Sequence, residues 1–144
     1  MSPETIAIAV DHGGFNLKAA AIEAARNQGC NVLDLGTDGT DSVDYPDFAE
    51  KLVQALADGR ASRGILICGT GIGISIAANR HSGIRAALCY DDETATLARQ
   101  HNDANVLCLG GRKTDEASAR SMVKIFLTTA FEGGRHARRI AKLG

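Results

Sequence analysis

A cysteine followed directly by a glycine-rich turn is the feature of this sequence best suited to chemistry. Residues 64–73 read Gly-Ile-Leu-Ile-Cys-Gly-Thr-Gly-Ile-Gly, a hydrophobic strand that ends at Cys68 and breaks into a turn. Glycines let backbone amides approach a ligand, and the start of the next helix favours negative charge. A nucleophile or base would then lie beside an anion cradle. The alternative is a small buried side chain before a tight turn, and this stretch alone leaves both open.

A carboxylate and an imidazole stand together at Asp11 and His12, directly before two glycines. Such a pair can orient hydroxyl groups, move protons or bind phosphate. An aspartate at a strand–helix junction is also a common N-cap, which would leave His12 as a solvated side chain. The pair is therefore a second candidate for chemistry.

The other histidines give weaker indications. His101 follows a helical segment whose C-terminal dipole favours a cationic imidazole, so a structural role and an acid–base role both stay open. His81 lies at a helix end and is interpreted as a surface residue. Because no pair among His12, His101 and His136 has ligand spacing on one element, the sequence predicts no metal site.

The C-terminal segment is basic and has a helical pattern after two glycines. Arg135 and Arg139 are four residues apart and would share one helix face. Two guanidinium groups on one face suit a phosphate, since each donates paired hydrogen bonds to its oxygens. A solvated basic tail in contact with nucleic acid is the alternative.

Length and charge narrow the class of protein. A chain of 144 residues with a net charge of -1 is long enough for one core, so we interpret residues 1–144 as a single domain. The charge gives no indication of a nucleic-acid or membrane partner. The acidic N-terminus and the lack of a long apolar run predict a cytoplasmic protein. The four cysteines contain no C-x-x-C pair and are predicted to be reduced, with Cys89 and Cys108 in the core.

Strand-like runs alternate with helical patterns along the chain. The predicted strands are Thr5–Val10, Asn31–Leu35, Gly64–Cys68, Ile84–Cys89 and Val106–Leu109. The predicted helices are Phe15–Gln28, Asp47–Asp58, Ile72–Arg80, Asp92–His101 and Asp115–Thr129, with Gly29 as a helix stop and Thr114 as an N-cap. This order predicts a Rossmann-like, three-layer α/β/α fold with a five-stranded parallel sheet.

Ligands of such sheets bind beyond the carboxyl ends of the strands. The segments Asp11–Gly14, Cys68–Gly71 and Gly110–Arg112 follow strands one, three and five, so we expect them at that edge. His101 and Asn102 precede the fifth strand and are less obviously placed. Residues 36–46 are predicted to form a surface loop that borders the cleft.

Five blocks, in order along the chain, resemble those of ribose-5-phosphate isomerase B, a family that also includes the galactose-6-phosphate isomerase subunits. The blocks are Asp11-His-Gly-Gly-Phe15, Asp44-Tyr-Pro46, residues 64–79, Arg99-Gln-His-Asn-Asp103 and Glu132-Gly-Gly-Arg-His136. Together they span nearly the whole chain. The resemblance implies an aldose–ketose isomerase that works without metal or organic cofactor, through ring opening and a cis-enediolate.

The resemblance also assigns roles. Cys68 would carry a proton between C2 and C1, His101 would protonate the ring oxygen, and Asp11 would orient or deprotonate the anomeric hydroxyl. Thr70 and the loop amides would stabilise the enediolate oxygens. The substrate-binding positions implied are His12, Gly69, Gly71, Ile72, Gly73, Asn102, Arg112, Arg135 and Arg139, with His12 and the arginines on the phosphate.

Two further expectations concern the base and the assembly. Cysteine thiols have an ordinary pKa of about 8.5, which a helix N-terminus lowers towards neutrality. Residues 73–76 contain no acidic side chain that could serve as the base in place of Cys68. Members of the family are homodimers or tetramers with active sites built from two chains. The resemblance therefore implies that the C-terminal helix reaches a partner subunit.

Other functions compete with this interpretation. Gly69-x-Gly71-x-Gly73 with Asp91 further on is similar to a dinucleotide-binding pattern, but its third glycine comes one residue early. A sugar-phosphate sensor without turnover is another alternative. Within the family, the substrate could be ribose 5-phosphate, allose 6-phosphate, galactose 6-phosphate or a tetrose phosphate such as erythrulose 4-phosphate. Ribose 5-phosphate is preferred because the motifs match that branch best.

Overall fold

Five strands and six helices alternate along residues 2–144, the part of the chain that the computed structural model describes. The strands are β1 (Thr5–Val10), β2 (Asn31–Asp34), β3 (Arg63–Cys68), β4 (Ala86–Leu88) and β5 (Val106–Gly110). The helices are α1 (Phe15–Asn27), α2 (Tyr45–Ala57), α3 (Ile72–Asn79), α4 (Asp92–Asn102), α5 (Glu116–Thr128) and α6 (Arg135–Ala141). Within this range no helix has both the length and the apolar character needed to cross a membrane.

The five strands form one parallel sheet in the order β2-β1-β3-β5-β4. The chain passes from β1 outward to β2 and then returns to β3 on the other side of β1, so the loops that follow β1 and β3 are neighbours. Open α/β sheets bind their ligands at this kind of switch point. The predicted Rossmann-like fold with five parallel strands is confirmed.

Helices cover both faces of the sheet, as near-continuous apolar strands require. In β1, Ile6, Ile8 and Val10 pack in the cluster that includes residues of α1, α4 and α5. Ala7 and Ala9 alternate with them and pack in the cluster that includes residues of α2 and α3. Each fully buried Ile or Leu stabilises such a core by roughly 1.5–3 kcal/mol, so the central strands are held firmly and their ends are fixed in space.

The predicted ends of the elements are mostly close, with two differences. The prediction that Thr114 caps α5 is wrong: Asp115 is the N-cap, its carboxylate accepts the Ser118 amide at 2.7 Å, and Thr114 is buried. The fourth strand is shorter than predicted, because the Arg85 amide donates to the Asn105 side chain at 2.8 Å instead of extending the strand. Gly29 ends α1 as predicted, with φ of +82°.

The cysteines fall into two groups. Cys89 and Cys108 are 1% and 0% exposed, which confirms their predicted place in the core. Burial raises the pKa of Cys89 to about 11 and holds the pKa of Cys108 well above its ordinary value. All four thiols are free. The two core thiols are therefore poor bases near neutral pH, unlike a thiol placed at a helix N-terminus.

Candidate active site

A cleft lies at the carboxyl ends of β1, β3 and β5, where the sequence analysis expects the ligand. Its volume is about 400 Å³. The residues that line it are Asp11, His12, Gly13, Tyr45, Cys68, Gly69, Thr70, Ile72, Gly73 and Arg112. Eight of the predicted site residues, Asp11 among them, are thus brought to one place by the ends of three neighbouring strands.

Cys68 ends β3 with its sulfur turned into the loop that follows. The side chain is buried, and its Sγ accepts a hydrogen bond from the Gly71 amide over 3.2 Å. Gly71 has φ of +82° and directly precedes α3. A Cβ there would lie 2.5 Å from the Leu88 side chain and 2.9 Å from the Leu109 carbonyl, so only glycine fits. This loop geometry places the Gly71 N–H against the Cys68 sulfur.

The loop amides divide into two sets. Two are engaged by the loop itself: the Gly71 amide donates to Cys68, and the Ile72 amide donates to the Thr70 hydroxyl at 3.1 Å. The amides of Gly69, Thr70 and Gly73 have no hydrogen-bond acceptor within residues 2–144. The predicted anion cradle of residues 69–73 therefore has three N–H groups to offer, at the positive end of α3.

Asp11 is not the N-cap of α1, which is Gly14; its carboxylate instead holds the turn that precedes the helix. One carboxylate oxygen accepts the amides of Gly13 and Gly14, at 2.8 and 3.0 Å. The side chain is buried and still lines the cleft. Gly14 leaves no room for a side chain, since a Cβ would lie 2.2 Å from the Ile67 carbonyl oxygen. The turn thus holds the Asp11 carboxylate rigidly next to the Cys68 loop.

His12 is oriented by the loop that leads into α2. Its Nδ1 accepts a hydrogen bond from the Val43 amide at 3.1 Å. A neutral imidazole that accepts at Nδ1 carries its proton on Nε2, so the opposite side of the ring is a hydrogen-bond donor. His12 can therefore bind an anionic oxygen in the cleft without being charged.

Arg112 and Tyr45 complete the walls. The Arg112 guanidinium lies against Gly69, where a Cβ would come within 3.0 Å of it. The Tyr45 ring lies against Gly73, where a Cβ would come within 2.5 Å of it. Sequence reasoning assigned Tyr45 no role, and the only signal was its place in the motif Asp44-Tyr-Pro46. Tyr90 also supports the loop, since its hydroxyl donates to the Thr70 carbonyl at 2.8 Å.

The structure does not bring His101 and Asn102 to this cleft. Both end α4, which precedes β5, whereas the cleft lies where β5 ends. The strand pairs from Gly64↔Val106 to Cys68↔Gly110, and five residues at about 3.3 Å each span roughly 15 Å. His101 is therefore at the opposite end of the sheet from Cys68 in the same chain.

A second cavity, of about 270 Å³, contains these remaining site residues. It is lined by His101, Asn102, His136, Arg139, Ile140 and Leu143. Arg135 is exposed at the start of α6, and Arg139 lies one turn further on, so the two arginines share a face as predicted.

Two histidines stack in this second cavity. The rings of His101 and His136 are 4.3 Å apart and inclined by 14°. Their Nε2 atoms lie 3.9 and 3.7 Å from one carboxylate oxygen of Glu132. Burial, followed by the nearby His101 and Arg135, lowers the pKa of His136. Sequence spacing gave no indication of this cluster, because its members come from α4, α6 and the loop between α5 and α6.

Comparison with known proteins agrees with the fold. Residues 6–143 match the model of the Ribose/Galactose Isomerase family. Ribose-5-phosphate isomerase B of Escherichia coli is 45% identical over 135 residues, which are 94% of this chain and 91% of the relative.

Solved structures give the same result. The ribose-5-phosphate isomerase B of Clostridium thermocellum superposes with a TM-score of 0.94 at 49% identity, covering 97% of this chain and 95% of that one. That of Anaplasma phagocytophilum has a TM-score of 0.91 at 50% identity, covering 100% and 99%. The chain belongs to the ribose/galactose isomerase family, and the predicted class of enzyme, a sugar-phosphate isomerase, is confirmed.

Proposed function

We propose that this protein interconverts ribose 5-phosphate and ribulose 5-phosphate, with Cys68 as the base. The observation that carries the proposal is the hydrogen bond from the Gly71 amide to the Cys68 sulfur at the wall of an anion-binding cleft. Relatives of similar length and fold bear the name ribose-5-phosphate isomerase B.

The chemistry follows from what the cleft presents. After ring opening, the Cys68 thiolate removes the C2 proton of the aldose, and the electron pair moves to the carbonyl oxygen as the cis-enediolate forms. The free amides of Gly69, Thr70 and Gly73 donate to the enediolate oxygens, which carry the new negative charge. A proton passes from O2 to O1, the thiol returns its proton to C1, and the C2–O2 bond becomes the carbonyl of the ketose, so no external oxidant or reductant is consumed.

The substrate phosphate requires donors at some distance from the thiol. His12 presents an Nε2–H and Arg112 a guanidinium fork, and both line the same cleft as Cys68. We therefore expect substitutions at these two positions to raise KM more than they lower kcat.

Ring opening also needs an acid that protonates the ring oxygen. His101 is the proposed acid, yet it lies at the other end of the sheet with Asn102 and Arg139. A second copy of the chain resolves this, because its His101 and α6 can lie against the first copy's Cys68 cleft. We therefore propose a homodimer or higher oligomer in which each active site is shared between two chains.

Complementation between two inactive variants tests both statements. Cys68→Ala and His101→Asn are each expected to lose most ribose 5-phosphate turnover. After the two are unfolded and refolded together, about a quarter of the wild-type activity should return, because half of all dimers are mixed and each mixed dimer carries one intact site out of two. The control is each variant refolded alone.

The outcomes separate chemistry from assembly. If the mixture stays inactive while refolded wild type regains full rate, the site is not shared between chains. If wild type does not isomerise ribose 5-phosphate, turnover of allose 6-phosphate, galactose 6-phosphate and erythrulose 4-phosphate distinguishes a different substrate from a protein that binds without turnover.

A further inference from the structure

Three potential metal ligands converge beside the second cavity. One ring nitrogen of His101, one ring nitrogen of His136 and a carboxylate oxygen of Glu132 all lie within 4.8 Å of one another. The backbone holds them there, since the Glu132 amide donates to the Gln100 carbonyl at 3.0 Å, next to His101. The cluster is therefore built by the fold and is more than a chance meeting of long side chains.

The buried member of the cluster lacks a partner. His136 is 7% exposed, and its Nε2 makes no hydrogen bond within residues 2–144. Buried polar atoms are nearly always satisfied, because leaving one unpaired costs roughly 1–3 kcal/mol. This buried, unpaired nitrogen lies near a second imidazole and a carboxylate, an arrangement that a bound cation between the three side chains would satisfy.

We propose that His101, Glu132 and His136 bind a divalent transition-metal ion, with Zn²⁺ as the best match. Two imidazoles and one carboxylate are ligands that Zn²⁺ prefers, and three protein ligands leave a position for water. The location also favours a cation, since His101 is in the last turn of α4, at the negative end of that helix. Arg139 lines the same cavity and opposes the cation, so we expect moderate affinity.

Binding requires a small local movement. Ligand atoms around a tetrahedral Zn²⁺ are about 3.3 Å apart, so atoms now 3.7–4.8 Å apart must close and the stacked rings must open. The side chains of His101 and Glu132 are 39% and 51% exposed and are free to rotate. His136 is the fixed member of the three.

The site has a regulatory consequence, which rests on the proposed function. A metal ion bound to the His101 ring would occupy the imidazole that is the proposed acid for ring opening. Zn²⁺ should therefore inhibit the isomerase, and a chelator should restore it. The metal ion would thus act as an inhibitor and not as a catalytic cofactor.

Metal binding is tested first without substrate. Chelator-treated protein is titrated with Zn²⁺ in competition with a chromophoric chelator. We expect one ion per chain for wild type, and affinity at least about 10-fold weaker for Glu132→Gln and His136→Ala. His81→Ala is the matched control, because His81 pairs with Glu50 at 2.8 Å in a histidine–carboxylate pair without a third ligand.

Wild-type affinity no tighter than that of Glu132→Gln would overturn the proposal, as would equal weakening by His81→Ala. Glu132→Gln keeps the answer clear if His136→Ala disturbs α6. Zn²⁺ inhibition is then measured on wild type and Glu132→Gln. A protein that binds Zn²⁺ but never isomerises a sugar phosphate would refute the proposed function and leave the metal site standing.

Discussion

The two ends of the sheet differ in the direction of many of their hydrogen bonds. At the carboxyl end, main-chain amides donate to the side chains of Asp11, His12, Cys68 and Thr70. At the amino end, side chains donate to main-chain carbonyls: Arg63 binds those of Phe126 and Leu127, and Arg99 binds those of Ala104 and Thr129.

This difference follows from parallel α/β architecture. Every helix that follows a strand begins at the carboxyl end of the sheet and ends at the amino end, so spare N–H groups collect at one end and spare carbonyls at the other. The first end suits anions and the second suits cations. The chain uses one for a cleft and closes the other with arginines, so the two ends should respond differently to substitution.

The largest expected effect is on rate. Cys68→Ala removes the proposed base, and we expect kcat for ribose 5-phosphate to fall by roughly 10²–10⁴-fold with little change in thermal stability. Cys89→Ala is the control, because that core thiol has a pKa of about 11 and lines no part of the cleft. Similar losses of kcat in the two variants would contradict a special role for Cys68.

The second prediction concerns the loop that holds the sulfur. Gly71→Ala forces a side chain into the space of Leu88 and Leu109 at φ of +82°, which displaces the amide from Cys68. We expect kcat to fall by about 10²-fold, the loss typical of one misplaced donor. Gly39→Ala meets nothing within 4 Å and should keep wild-type kcat, as measured in the same assay.

The third prediction moves to the amino end. Arg63 donates to both Glu4 oxygens at 2.6 and 2.7 Å as well as to the end of α5, so Arg63→Ala leaves several acceptors unpaired. We expect roughly 2–3 kcal/mol less stability in urea unfolding. Arg120→Ala removes an exposed pair with Glu116 and should cost less than about 1 kcal/mol. Equal losses of unfolding free energy in the two variants would mean that the hydrogen bonds of the Arg63 guanidinium contribute no more than an exposed ion pair.

The smallest effect is the response of that pair to acid. The hydrogen bond from Arg63 lowers the pKa of Glu4 from its ordinary value of 4.5. The stability that the charged Glu4 carboxylate contributes is therefore complete above pH 4.5 and is lost as the pH falls through the folded-state pKa. Glu4→Gln should be less stable by about 1 kcal/mol or less at pH 7, since the pair is partly exposed. The gap from wild type should close on acidification, whereas a constant gap from pH 7 to 3 would show that the charge of Glu4 contributes nothing.

Most of the fold could be predicted from the sequence because its signals are local. β1 is found at the predicted residues, since Thr5–Val10 is a continuous apolar run with a clear end. The cap of α5 was misplaced by one residue because Thr114 and Asp115 are both good caps, and only the packing that buries Thr114 separates them.

The site was harder to predict because it depends on strand order. Asp11 and Cys68 lie close together because β1 and β3 are parallel neighbours and both residues stand at the carboxyl ends of these strands. Arg112 reaches the Cys68 loop because β5 inserts between β3 and β4, which no local pattern indicates. The sequence also offers no sign that two loop amides, those of Gly71 and Ile72, donate to the side chains of Cys68 and Thr70, because these bonds form only in the folded loop.

The insertion of β5 between β3 and β4 also sets an order for folding on the ribosome. β4 pairs with β5 alone, so a nascent chain that stops before Val106 has no partner for it. One edge of β3, an apolar strand, then stays open until Val106–Gly110 emerges. The sheet closes late in synthesis, and before that moment the exposed edge of β3 is the part of the nascent chain most prone to aggregate.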